Sequence, residues 1–215
     1  MMRGAIRVLV PVVLTTAALA GCSSSTGGGT GTGKNGDSAP PEAAEATGAA
    51  KGRTLGGAGS ACELPVTFTL ASDWKPQAVT VEPGSDLAAL AEQGTVTMVC
   101  EIDAKPAGNI GYIRVWRGEA PGEDPAAALK AFVADEPGAG KAVYSQVKAG
   151  ALAATEVAYT VDGELLDEPK KERAFAVTTP EGPVVVHLGG LDSDEHEAML
   201  PAYELARRTV SLTRP

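Results

Sequence analysis

The sequence predicts an α+β domain, rich in strands, behind an N-terminal stretch that does not fold. Three observations carry this. Between residues 66 and 188 the apolar stretches are mostly short, and several alternate with a period of two, which is strand patterning. Only three stretches suit helices: one after Ser85, one after Asp124 and one towards the C-terminus. Asp162-Gly163 and Glu181-Gly182 stand where tight turns are needed between extended runs.

The N-terminus comes first. Met1 to Arg7 carries two arginines and no acid, and Val8 to Ala20 is an apolar run of 13 residues. A helix of that length reaches about 20 Å, short of the roughly 30 Å hydrocarbon core of a bilayer. A positive start, a short apolar run and small residues at its end are the features of a cleaved secretory signal, expected over residues 1–21. Leu19-Ala20-Gly21-Cys22 resembles at all four positions the lipobox of bacterial lipoproteins. That resemblance implies a diacylglycerol thioether on Cys22, cleavage before it and acylation of the new amino group. The residue types suit the chemistry, because small residues admit a peptidase and only a thiol accepts lipid as a thioether. One acyl chain holds a protein marginally and two hold it stably, at about 0.8 kcal/mol per buried methylene.

Residues 22–59 are expected to be a lipidated tether. From Ser23 onward the composition is Gly, Ser and Thr, then Ala, Pro and Glu, with Leu55 the only large apolar side chain. Such a segment cannot bury enough surface to offset chain entropy. As a flexible coil it would span about 35 Å, and about 120 Å if pulled straight.

Residues 60–215 form the expected single domain. Aromatic residues are only 4% of the chain, so its core must be built mainly from Val, Leu and Ala. Val66-Thr67-Phe68-Thr69-Leu70 alternates cleanly, with Val66, Phe68 and Leu70 on one face. Ala78 to Val81 and Thr95 to Ile102 are the next expected strands, with a short helix from Asp86 to Gln93 between them. Ile110 to Trp116 follows, Ile113 and Val115 on one side and Tyr112, Arg114 and Trp116 on the other. Asp124-Pro125 opens a helix as N-cap and first-turn proline, and Pro137-Gly138 ends it. Four more extended stretches are expected at 143–148, 155–161, 173–179 and 184–188. The last element is a helix over about 194–210, either in two pieces or effectively beginning at Pro201. Its inward stripe is Met199, Ala202, Leu205, Ala206 and Val210.

This order of elements resembles the Mog1/PsbP-like fold, as carried by actinobacterial lipoproteins of the LpqN kind. The resemblance rests on Phe68-Thr69-Leu70-Ala71-Ser72-Asp73-Trp74, on Gly150 to Tyr159 and on the close at Val210-Ser211-Leu212. It implies a curved antiparallel sheet of six to eight strands covered by helices, with no shared catalytic residues. The chain departs from the pattern twice. Ala-Ser-Asp-Trp stands where Pro-x-Gly-Trp is usual, and the closing helix contains Pro201.

With Cys22 lipidated, Cys62 and Cys100 remain, an even pair in an oxidising compartment and expected to form a structural disulfide. Their separation does not resemble a CxxC redox or zinc motif. Ser145-Gln146-Val147-Lys148 matches SxxK, but in a strand Ser145 and Lys148 fall on opposite faces, so no acyltransferase site is expected. His187 sits mid-strand and is expected to be a satisfied or surface histidine. Asp192-Ser193-Asp194-Glu195-His196-Glu197 could hold a divalent cation, yet its simpler role is to cap and charge a helix start. Trp74 and Trp116 could stack on sugars if exposed, with core or rim packing the plainer expectation.

The formal net charge of −9 becomes −11 once Arg3 and Arg7 leave with the signal, which disfavours nucleic acid and other polyanions. No cofactor and no catalytic residue is expected. The expected protein is lipid-anchored on the extracytoplasmic face, a non-catalytic binding or accessory module of the cell envelope. Its partners would be the bilayer, through Cys22, and an envelope protein or small ligand. The alternatives are an envelope hydrolase or transferase whose residues meet only in the fold, and a carrier of apolar ligands.

Overall fold

The computed structural model describes residues 49–82, 84–85, 88–162 and 168–213. The signal, Cys22 and the tether up to residue 48 lie outside these residues, as does Gly163 of the first expected turn. The strands are β1 (Lys51–Leu55), β2 (Val66–Ala71), β3 (Lys75–Ala78), β4 (Glu92–Gln93), β5 (Val96–Asp103) and β6 (Gly111–Arg117). Helix α1 (Pro125–Ala134) is followed by β7 (Ala139–Ala149), β8 (Leu152–Val161), β9 (Lys170–Thr179) and β10 (Gly182–Gly190). Helix α2 (Ser193–Thr209) and the short β11 (Ser211–Leu212) close the chain.

The main sheet has eight strands in the order β3-β5-β6-β10-β9-β8-β7, with β4 beside β5, and is open at both ends. Every pairing in it is antiparallel. A second sheet, β1-β2-β11, is also antiparallel. This is the expected α+β class.

Alternation gives the main sheet two apolar faces. Cys100, Ile102, Ile113, Val115, Phe175, Val186 and Leu188 point to one side, where the core includes Val66 and Phe68 of β2 and Met199, Tyr203 and Leu205 of α2. Trp116, Val157, Tyr159, Ala174, Ala176 and Val185 point to the other and meet Leu129, Phe132 and Val133 of α1. Helix α1 has ten residues and cannot cover its whole face. That shortfall leaves room for a cleft.

Four boundaries differ from those expected. Residues 51–55, expected in the tether, are β1, and the domain takes in residues ahead of 60. Leu55 is fully buried, so the one large apolar side chain of the stretch supplies the anchor that a disordered segment lacks. The expected helix at 86–93 is a single 3₁₀ turn, Ala89–Ala91, running into β4. It buries only Ala91, and the Gln93 side chain donates to Phe132 O and Glu136 Oε2 instead of continuing a helix. The second expected strand lies earlier, at 75–78, where its residues pair with Cys100 to Asp103. Helix α2 is one continuous element that begins at Ser193 and runs through Pro201. The proline is only part-buried, so the carbonyl that loses its partner one turn back, on exposed Glu197, can reach water.

The departure at Asp73 has a backbone reason. Its φ is 67°, the left-handed conformation for which the related pattern uses glycine, and aspartate is among the few other residues that tolerate it. Gly150 is more constrained. It has φ +56° in the two-residue β7–β8 turn, and an added Cβ would sit 1.9 Å from Val210 O. Its N–H donates to Arg207 O at 2.8 Å, which ties the hairpin to the end of α2.

Candidate functional site

Three rows of side chains cross the α1 face of the sheet, and their register builds a cleft. The first row is Tyr159 of β8, Glu172 of β9, Gly189 of β10 and Tyr112 of β6. The second is Val157, Ala174, His187, Arg114 and Glu101. The third is Ala176, Val185, Trp116 and Met98. Helix α1 lies over Ala174, Ala176 and Val185. Beyond its edge Gly189 contributes no side chain, and a Cβ there would meet Glu172 Oε2 at 3.1 Å and His187 Cε1 at 3.2 Å. The result is a cleft of about 440 Å³ lined by Trp116, Tyr112, Arg114, Lys170, Glu172 and His187 among others.

Its floor is charged and buried. Glu172 is 3% exposed and His187 7%. Lys170 Nζ lies 2.6 Å from Glu172 Oε1, and His187 Nε2 lies 2.5 Å from Glu172 Oε2. The same Nε2 is 3.2 Å from the Tyr159 hydroxyl, to which it is hydrogen-bonded. His187 Nε2 thus stands between the Tyr159 hydroxyl and Glu172 Oε2. Burial alone would raise the Glu172 carboxyl, but His187 and Lys170 outweigh it and hold the group below the ordinary glutamate range. Burial, then the Glu172 charge, raises the Tyr159 phenol far above its usual value, so it is neutral.

The rim is apolar. Leu90, Ile110 and Leu191 line the mouth and are 73%, 56% and 53% exposed. They are three of the five exposed large apolar side chains among the described residues. Single exposed leucines need no explanation, but three around one cleft make a patch.

The acidic segment at 192–197 serves α2. Asp192 Oδ1 accepts from Glu195 N at 2.9 Å, Glu195 Oε2 accepts from Ile110 N, and Glu197 pairs with Lys171. Among the described residues no three His, Cys, Asp or Glu side chains gather as metal ligands. His196, inside this segment, is buried, and its Nδ1 has no hydrogen-bond partner. Burial pushes its imidazole down to about 4; Glu172 opposes this, while Arg173, His187 and Lys171 add to it. The folded protein therefore keeps His196 neutral at pH values where the unfolded chain takes up a proton. Stability is expected to fall as pH drops from about 6.5 towards about 4, by on the order of 2–3 kcal/mol. Urea unfolding between pH 7 and pH 4 measures it, and His196→Leu should flatten that dependence.

Trp74 and Trp116 are each 5% exposed, Trp74 within the α2-side core and Trp116 edge-on to Phe132 at 5.3 Å. Ser145 and Lys148 lie on β7, an odd number of residues apart. Cys62, in the β1–β2 connection, is disulfide-bonded to Cys100 in the middle of β5, with 5.9 Å between Cα atoms. It links the region of the small sheet to the main one. The Lys170–Glu172–His187 group was not expected. Its signal was faint: Glu172 shares parity with the buried Ala174 and Ala176, so it faces a core, but the β9–β10 register that delivers His187 is not written in either strand.

Fold and site together define an antiparallel-sheet α+β protein with one part-covered face and an apolar-rimmed cleft in it. The chain belongs to the family described as "Uncharacterised lipoprotein", which matches residues 32–210. It is thus a lipoprotein, anchored to a membrane through lipid. No curated protein matches it. Among solved structures it is similar to cyanobacterial PsbP (CyanoP) from Synechocystis sp. PCC 6803, with 12% identity over 69% of this chain and 86% of that one and a TM-score of 0.46. It is also similar to LpqN of Mycobacterium tuberculosis, a protein involved in cell envelope biogenesis. There the identity is 14% over 75% of this chain and 91% of that one, with a TM-score of 0.40. Among the described residues no helix is long and apolar enough to cross a membrane.

Proposed function

We propose that this lipoprotein is a non-catalytic binding module on the extracytoplasmic face of the membrane, held by lipid on Cys22 through the chain that leads into β1. The observation that carries the reading is the cleft: three exposed apolar side chains ring a floor of buried, mutually paired charges. Ligand sites combine such apolar lining with a few fixed polar groups. The polar atoms of the floor are spent on one another. Lys170 holds Glu172, and His187 lies against Glu172 and Tyr159, an arrangement that fixes a shape rather than activating a nucleophile.

The test is a neutral apolar dye, N-phenyl-1-naphthylamine, added to the chain carrying Cys22→Ser. Its fluorescence should rise with one site per chain, and Leu191→Asp, at an exposed rim position, should weaken binding about tenfold. Absence of saturable binding, or a signal unchanged by Leu191→Asp and Leu90→Asp, contradicts the reading.

A further inference from the structure

One charged side chain in the cleft lining stands apart from the rest. Arg114 Nε lies 2.9 Å from Glu101 Oε2 and Lys170 Nζ 2.6 Å from Glu172 Oε1, with His187 on the other oxygen of Glu172. Glu136 lines the same cleft, yet among the described residues no cation comes within ion-pair reach of it. Its Oε2 accepts from the neutral Gln93 amide at 2.9 Å, and the side chain is part-buried, so it keeps access to the cleft. Its charge also reaches the floor: after burial and Glu172, Glu136 is the next cause that raises the Tyr159 phenol.

Register sets this carboxylate at one end of the cleft. Gln93, which holds it, pairs with Val96, beyond the row of Met98 and Trp116. Ile110 and Leu191 lie beyond Gly111 and Gly190 at the opposite end, joined by a 3.0 Å bond from Leu191 N–H to Ile110 O. From Gly111 to Trp116 the extended chain of β6 covers about 17 Å. The cleft therefore has an acidic end and an apolar end.

An anionic head would find both cleft cations engaged and would meet the field of a chain carrying a net −9. A neutral head leaves Glu136 without a counter-charge. A bare ammonium ion supplies the charge but leaves Ile110 and Leu191 in water. A protonated amine on an apolar chain answers both ends, because its N–H groups donate to a carboxylate in charge-assisted bonds.

We propose that the cleft binds a cationic amphiphile of the alkylamine class, with its ammonium group on Glu136 and its apolar chain running to Ile110 and Leu191. The inference rests on the reading of the cleft as a binding site and names the charge of what enters it.

Displacement of N-phenyl-1-naphthylamine from the Cys22→Ser chain at pH 7 tests it with octylammonium, octanoate and methylammonium, all below micelle concentrations. Octylammonium should displace the dye at concentrations about tenfold lower than octanoate, and methylammonium should leave it bound. Glu136→Gln, which keeps an acceptor for Gln93, should bring the two octyl probes within about threefold of each other. The side-chain amide resonances of Gln93 give a second reading without that substitution: octylammonium should move them. The inference is overturned, and the binding reading stands, if octanoate matches octylammonium, if methylammonium displaces the dye, or if the preference survives Glu136→Gln. A Gln93 amide that stays in place while octylammonium removes the dye has the same meaning. A chain that takes up no dye overturns both.

Discussion

Breaking the Cys62–Cys100 disulfide, by reduction or by the double substitution Cys62→Ala and Cys100→Ala, should lower stability by about 4 kcal/mol. The sequence separation is 38, and joining ends that far apart removes a large part of the freedom of the unfolded chain. Both residues lie in the core, Cys62 at 2% and Cys100 at 0% exposure, so the alanine pair also leaves a small cavity. The folded effect should be local. Cys62 belongs to the connection that carries β1 into β2, whereas the main sheet is held by its own ladders. Urea unfolding of the oxidised, reduced and doubly substituted chains measures the difference. A loss under about 1 kcal/mol would mean that the small sheet is docked by packing alone.

Replacing Glu172 by alanine is the second large effect. Removing one member of a buried charge group strands the others, at about 3–5 kcal/mol for a fully enclosed pair. Lys170 is 26% exposed on its side chain and can recover some hydration, so about 3 kcal/mol is expected for Glu172→Ala at pH 7. The sign of the pH dependence follows from the lowered carboxyl. A depressed carboxylate contributes its stability above the unfolded value, here 4.5, and loses it as pH falls through the folded one. Wild type and Glu172→Gln should therefore differ at pH 7 and converge in acid. A difference that grew on acidification would mean that the floor is held by something other than this carboxylate.

How much of this was legible in the sequence depended on whether the signal was local. Strand parity in β6 is carried by Ile113 and Val115 against Tyr112, Arg114 and Trp116, and the structure keeps that division. The α1 start is equally local, because Asp124 accepts from Ala126 N and Pro125 needs no donor. What failed depended on distant partners. Lys51–Leu55 has three polar side chains and a glycine ahead of Leu55 and becomes a strand only because β2 offers an edge and a pocket for Leu55. Pro201 marks a helix break in isolation, yet Met199, Ala202 and Tyr203 are buried on either side of it and hold the helix together. Tyr203 and His196 were absent from the expected inward stripe for the same reason. The cleft was invisible throughout, since it is made by Gly189 standing in register between Glu172 and Tyr112 on three different strands.

The proposed extracytoplasmic placement would expose Cys62 and Cys100 to oxidising conditions, and it hangs on Cys22. The intact mass of the native protein extracted from membranes is the direct measurement. A polypeptide beginning at Cys22 and heavier by a diacylglycerol, with or without a further acyl group, is the expected result. A chain that retains Met1, or one whose Cys22 is a free thiol, would contradict it.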